Sequence, residues 1–131
     1  YSVTFHIEAA KDPLTLSKNI SATGARVAAA LKPGTDLDSL DGLIEHLDMI
    51  LIMTVEPGFG GQAFMYDMMP KITRARELSG AQMWIEVDGG VSQNTITDCK
   101  EAGANVFVAG SCVYSNPDPA QVVRDLKALV E

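Results

Sequence analysis

Three stretches of this sequence combine glycine with residues able to do chemistry, and each follows an apolar run of strand length. After Met49–Val55 comes Glu56-Pro57-Gly58-Phe59-Gly60-Gly61-Gln62, with three glycines in four residues. Glycines let a chain turn its N–H groups inward without side-chain obstruction, which suits a phosphate or another oxyanion, although the same composition also makes a plain turn. After Trp84–Val87 comes Asp88-Gly89-Gly90, a carboxylate beside bare backbone; the alternative is an Asp that merely caps the next turn. After Val106–Ala109 comes Gly110-Ser111, a third small pair at a strand end. Glycine backbone at three successive strand tips is a much rarer pattern than any one of these loops.

Other reactive residues carry less. Glu8 and Glu56 lie at strand ends and read as hydrogen-bonding structural carboxylates. His46 falls in a helical segment and reads as solvated. Cys99 falls on the apolar side of a helix, and Cys112 has no neighbouring Lys, Arg or His to activate it. Two cysteines make neither a disulfide framework nor a four-ligand zinc site.

The elements that must position these loops follow from periodicity. Strand-like runs recur at Ser2–Ile7, Arg26–Leu31, Met49–Val55, Met83–Val87 and Val106–Ala109, most of them continuously apolar, as in parallel strands buried on both faces. Helical segments lie between them. Asp12-Pro13 reads as N-cap and first residue of a helix with Leu16 and Ile20 on its apolar side, ending before Gly24. Leu37, Leu40, Ile44 and Leu47 fall at helical spacing, weakened by Gly42. Pro70 fits near the start of a helix that buries Ile72, Ala75 and Leu78 before Gly80. Ser92 can cap a helix containing Ile96 and Cys99, stopped by Gly103. Asp118-Pro119 opens the last helix, with Gln121 at the capping-box position and a wide face of Val122, Val123, Leu126, Leu129 and Val130.

Residues 1–131 therefore read as a single α/β unit of five βα repeats with a parallel sheet. Two architectures compete: a five-strand doubly wound domain of the flavodoxin type, and part of a (β/α)8 barrel, whose usual ~250 residues exceed this chain. Periodicity favours the first, whereas the loops favour the second, because barrels commonly build a phosphate site from the loops after strands seven and eight.

Composition bounds the partners. The 131 residues hold 10 Lys and Arg against 17 Asp and Glu, a net charge of -7, which disfavours nucleic acid and anionic membrane surfaces. The longest apolar run, Met49–Met53, is too short to span a bilayer, and no secretory leader is visible. A reducing, cytoplasmic location is the expectation. The start at Tyr1, inside a strand and without Met, reads as a processed or truncated product.

The residues Met53-Thr54-Val55-Glu56-Pro57-Gly58-Phe59-Gly60-Gly61-Gln62, then Glu86-Val87-Asp88-Gly89-Gly90-Val91, then Ala109-Gly110-Ser111 closely resemble the ribulose-phosphate 3-epimerase family. Phe5-His6-Ile7-Glu8-Ala9 and Leu31-Lys32-Pro33-Gly34-Thr35 extend the resemblance across the chain. It implies strands four to eight of a ribulose-phosphate-binding TIM (β/α)8 barrel, here incomplete. It also implies reversible epimerisation of D-ribulose 5-phosphate and D-xylulose 5-phosphate, a pentose phosphate pathway reaction. Two aspartates work on opposite faces of the sugar, and a divalent metal ion (Zn, Fe, Mn or Co) stabilises the enediolate between the two steps.

By the same resemblance Asp88 is one catalytic aspartate and a metal ligand. Gly58, Phe59, Gly60 and Gly61 form a mobile loop over the substrate, and Asp88, Gly89, Gly90, Gly110 and Ser111 are substrate and phosphate contacts. Met53 shields the reaction centre, with plain core packing as the alternative. His6 matches a family position outside the metal set. The other aspartate and two metal histidines belong to strands this chain lacks, so the catalytic set is incomplete and the chain alone is expected to be inactive. A homodimer is expected for the full-length protein. The alternatives are a non-catalytic phosphate-binding half-barrel and a related ketose-phosphate barrel, such as a hexulose-phosphate enzyme or an allulose-6-phosphate 3-epimerase.

Overall fold

A computed structural model describes residues 1–58 and 62–131. Five strands form one parallel sheet: β1 (Ser2–His6), β2 (Arg26–Leu31), β3 (Met49–Met53), β4 (Trp84–Asp88) and β5 (Val106–Val108). Each strand pairs with the next in sequence, in the order β1-β2-β3-β4-β5. A flavodoxin-type domain would reverse direction once and place β1 between β2 and β3. The unbroken order here is an arc of a (β/α)8 barrel, so the loops, rather than the periodicity, point to the architecture.

Among the described residues five α-helices accompany the strands: α1 (Pro13–Ala22), α2 (Met69–Ser79), α3 (Ile96–Ala102), α4 (Ser111–Tyr114) and α5 (Pro119–Val130). Val27, Ala29 and Leu31 of β2, Ile50 and Ile52 of β3, and Ile85 and Val87 of β4 form the core with Ile72, Ala75, Ile96, Cys99, Val122 and Leu126 of the helices. Because side chains alternate along a strand, this arrangement turns Met53, Glu86 and Asp88 to the other face of the sheet. The central strands β2 and β3 are almost wholly buried, whereas at the edges β1 is largely exposed and β5 half-buried.

The helix starts obey their capping residues. The Thr15 N–H donates to the Asp12 carboxylate at 3.1 Å, and the Gln121 N–H donates to that of Asp118 at 3.1 Å. Gln121 does not complete a capping box. Its side chain instead donates to Asp125 and accepts from Arg124, charged partners one turn along the exposed face. At the far end of α2, the Arg76 guanidinium donates to the carbonyls of Gly80 and Met83 in the loop before β4 and of Gly103 in the loop before β5, joining two loops at the base of the sheet.

Several boundaries differ from the sequence expectation. The segment Leu37–Leu47 is two 3-10 turns, Leu37–Leu40 and Ile44–His46, separated where Gly42 adopts φ +73°. Strand β3 stops at Met53: the Thr54 N–H still donates to Asp88 O at the end of β4, but the Thr54 carbonyl accepts from the Met65 N–H at 2.8 Å. Helix α3 starts at Ile96 rather than just after Ser92. The Ser92 N–H donates to the Thr95 hydroxyl at 2.9 Å and the Asn94 N–H to that of Ser92, which spends those residues on a tight turn. The apolar stripes are also narrower than expected: Leu78, Val123 and Leu129 are each at least 40% exposed.

Candidate active site

The tip of β4 is the centre of the site. Ile85 and Val87 point into the core, so Glu86 and Asp88 share the open face of the strand. In the sheet register Met53 pairs with Asp88, and Asp88 with Val108, which sets Met53 directly beside the carboxylate in the neighbouring strand.

Beyond Asp88 the chain turns through Gly89 at φ +120° and Gly90 at φ +70°, conformations that side-chain-bearing residues rarely adopt. Both glycines are also crowded. A Cβ on Gly89 would collide with the Val55 side chain and lie 3.0 Å from the Val55 nitrogen, and one on Gly90 would lie 3.0 Å from Phe64 Cβ. Three donors hold the carbonyls of this turn. The Thr54 N–H donates to Asp88 O at 3.0 Å, the Thr54 hydroxyl to Gly89 O, and the Thr95 hydroxyl to Gly90 O at 3.0 Å.

A pocket of about 210 Å3 opens over the turn, lined by Val55, Gln62, Asp88, Gly89, Gly90, Val91, Val108, Gly110 and Ser111. The structure thus brings together Asp88, Gly89, Gly90, Gly110 and Ser111 from two strand-tip loops, and Val55 and Gln62 flank them from the third. Gly58 is not in this pocket. It lines a neighbouring cleft of about 440 Å3 with His6, Glu8, Ala9, Lys32 and Pro57. Phe59, Gly60 and Gly61 lie outside the described residues. A larger cavity of about 610 Å3, between Gly42–Asp48 and Leu78–Met83, opens at the opposite, amino-terminal ends of the strands and holds none of these loops.

Electrostatics separate the carboxylates by role. Burial, and then the nearby charge of Asp88, raise the Glu86 carboxyl above its ordinary value. Burial works in the same direction on Glu8, but hydrogen bonds from the Thr35 side chain and the Lys32 N–H outweigh it and hold that carboxyl low. Glu8 also pairs with His6 at 3.4 Å, so it is a structural junction between the ends of β1 and β2. Glu56 is exposed, and His46 pairs with Glu45 at 3.7 Å. Burial raises the Cys99 thiol to about 11, whereas Cys112 is partly exposed and donates to Val91 O.

Among the described residues no group of three or more His, Cys, Asp or Glu is placed to hold a metal ion. Asp88 offers one carboxylate where a divalent ion takes several ligands, so these residues alone do not fit a metal.

Sequence reasoning missed Thr54 and Thr95, which shape the turn, and Val55, Gln62, Val91 and Val108, which wall the pocket. Nothing in the sequence marked the two threonines; their burial does, since they are two of the three buried polar residues among those described.

A family model described as the ribulose-phosphate 3 epimerase family matches residues 1–114. The chain belongs to the ribulose-phosphate 3-epimerase family. Its relatives include the ribulose-phosphate 3-epimerase of Candida glabrata, 52% identical over 95% of this chain and 50% of that protein. That of Mycobacterium bovis is 42% identical over 97% of this chain and 57% of the relative. The chain therefore spans about half the length of the curated relatives it matches. Among solved structures, a 3-hexulose-6-phosphate synthase aligns with a TM-score of 0.74 at 24% identity, covering 98% of this chain and 61% of that one. An orotidine 5'-monophosphate decarboxylase from Sulfolobus solfataricus aligns with a TM-score of 0.71 at 18% identity, covering 98% of this chain and 60% of that one. At these identities the likeness shows the fold, that of the TIM barrel.

Proposed function

We propose that this chain is the phosphate-gripping, single-aspartate part of an isomerase that interconverts D-ribulose 5-phosphate and D-xylulose 5-phosphate. The observation that carries this reading is the pocket at the β4 tip, where a carboxylate and four small residues, Gly89, Gly90, Gly110 and Ser111, share one wall. Main-chain amides supply local positive potential to a phosphomonoester, so a chain of net charge -7 needs no basic motif to hold one. Residues 1–131 act as a single unit in this role.

Epimerisation inverts the carbon next to the ketone, which requires a proton to leave one face and another to arrive on the opposite face. Asp88 serves one face: it donates the proton in one direction and removes it in the other. Met53, paired with it across the sheet, keeps water off that face. The family resemblance brings a divalent metal, which would polarise the ketone, and Asp88 is the one ligand this chain contributes. A second aspartate and the remaining ligands come from elsewhere in a complete barrel. The 131 residues alone accordingly show little or no turnover.

A complete barrel containing this chain exchanges the substrate's C3 proton with solvent, and Asp88→Asn abolishes that exchange. Exchange at the normal rate in Asp88→Asn removes Asp88 from the mechanism. The complete protein acts as a homodimer. The name of the rice relative, a cytoplasmic isoform, supports a cytoplasmic location, although an Arabidopsis thaliana relative is named chloroplastic.

The exposed sheet edges favour a second reading. Val3 on β1 and Val108 on β5 are 45% and 39% exposed at free strand edges, as suits a non-catalytic half-barrel that binds phosphate and associates with another chain. Sedimentation as a cooperatively folded monomer would count against it. Assays across five- and six-carbon ketose phosphates separate the epimerase from its hexulose- and allulose-phosphate neighbours.

A further inference from the structure

Ser17, Thr54 and Thr95 are the buried polar residues among those described, and two of the three act on one turn. Thr54 is fully buried just past the end of β3, and Thr95 is 6% exposed just before α3. The Thr54 hydroxyl donates to the carbonyl of Gly89 and the Thr95 hydroxyl donates to that of Gly90. Each threonine is itself fixed. Thr54 donates its N–H to Asp88 O and accepts from the Met65 N–H at 2.8 Å, while the Thr95 hydroxyl accepts from the Ser92 N–H at 2.9 Å.

A trans peptide points its C=O and the following N–H in opposite directions. Holding the Gly89 and Gly90 carbonyls against buried hydroxyls therefore turns the N–H groups of Gly90 and Val91 away from those hydroxyls. Among the described residues neither amide donates to a protein acceptor. Gly90 and Val91 both line the pocket that contains Asp88. Without the hydroxyls, two adjacent glycine peptides would be free to flip, since glycine takes either sign of φ with little penalty.

We infer that Thr54 and Thr95 are positioning residues, a hydroxyl pair that locks the Gly89 and Gly90 peptides so that the amides of Gly90 and Val91 present a fixed phosphate cradle beside Asp88. This role rests on the phosphate reading of the pocket proposed above.

The test follows amide NMR spectra of the 131-residue protein during titration with inorganic phosphate. In the wild type the largest shifts fall on Gly90 and Val91. Thr54→Val and Thr95→Val, which keep the shape and remove the hydroxyl, each weaken phosphate binding about tenfold. Thr54→Ser and Thr95→Ser restore binding to within about twofold of wild type, a rescue that a purely packing role would not give. Valine variants that fold and bind phosphate as tightly as wild type overturn the inference while leaving the phosphate reading intact. A wild type whose pocket amides do not respond to phosphate at all overturns both. Should the valine variants fail to fold, the wild-type titration decides: shifts at Gly110 and Ser111 with Gly90 and Val91 unmoved overturn the inference.

Discussion

Replacing Gly89 by alanine tests whether the β4 turn is as tightly built as its contacts indicate. Two costs arise. Its φ of +120° lies where L residues rarely go, and strain of that kind costs about 1–2 kcal/mol. The added methyl would also overlap the Val55 side chain and lie 3.0 Å from the Val55 nitrogen. Val55 cannot retreat, because the adjacent Thr54 bonds through its N–H, its carbonyl and its hydroxyl to three different residues. Overpacking against such a fixed neighbour adds about 1–3 kcal/mol. Gly24 is the control: its φ is +84° but nothing lies within 4 Å of a Cβ there, so Gly24→Ala carries the strain alone. Urea unfolding of the two variants should show Gly89→Ala losing about 2–5 kcal/mol and Gly24→Ala about 1–2 kcal/mol. Adding Val55→Ala to Gly89→Ala should recover part of the difference, though not the part due to the Val55 backbone. Equal losses at Gly24 and Gly89 would refute the close-packed turn.

Further outcomes follow from other parts of the fold. Arg76→Lys keeps the charge but loses the fork that spans Gly80, Met83 and Gly103, and should lower stability by about 2–3 kcal/mol in urea unfolding with an unchanged denaturant slope. In thiol titration of the native protein Cys112 should react first, and Cys99, with its thiol raised to about 11 by burial, should react only on unfolding. Glu8 is held below its ordinary value of 4.5, so its ionised form favours the folded state above that pH, and the benefit disappears as pH falls through the lowered value. Glu8→Gln should therefore be less stable than wild type near neutral pH, and the gap should close on acidification below about pH 4.5. A gap that stays constant down to pH 3 would show that the Lys32 and Thr35 contacts do not depend on the charge.

The parts of this fold legible in the sequence are those set by local rules. Asp12-Pro13 and Asp118-Pro119 mark helix starts because an acceptor side chain and a preset φ act within one turn. The apolar runs at Arg26–Leu31 and Met49–Met53 mark strands because both are buried along nearly their whole length. Strand order was not legible from periodicity, since alternation of strand and helix is the same in a doubly wound sheet and in a barrel. The Leu37–Leu47 segment misleads for a definable reason: Leu37, Leu40 and Leu43 recur every three residues, which fits successive 3-10 turns as well as a helix. At the site, Asp88-Gly89-Gly90 was readable because only glycine suits such backbone beside a carboxylate. Thr54 was not, because a threonine at the end of an apolar run reads as an ordinary β-branched strand residue. Its role appears only once β3 and β4 are side by side and its hydroxyl meets a carbonyl 35 residues away in sequence.

The most direct test of the account is a structure of the protein bound to D-xylulose 5-phosphate. The account predicts a phosphate within hydrogen-bonding distance of the amides of Gly90 and Val91 and beside Gly110 and Ser111, with the sugar's C3 facing the Asp88 carboxylate. A sugar phosphate seated at another cavity, or an Asp88 side chain turned away from the reactive carbon, would contradict it.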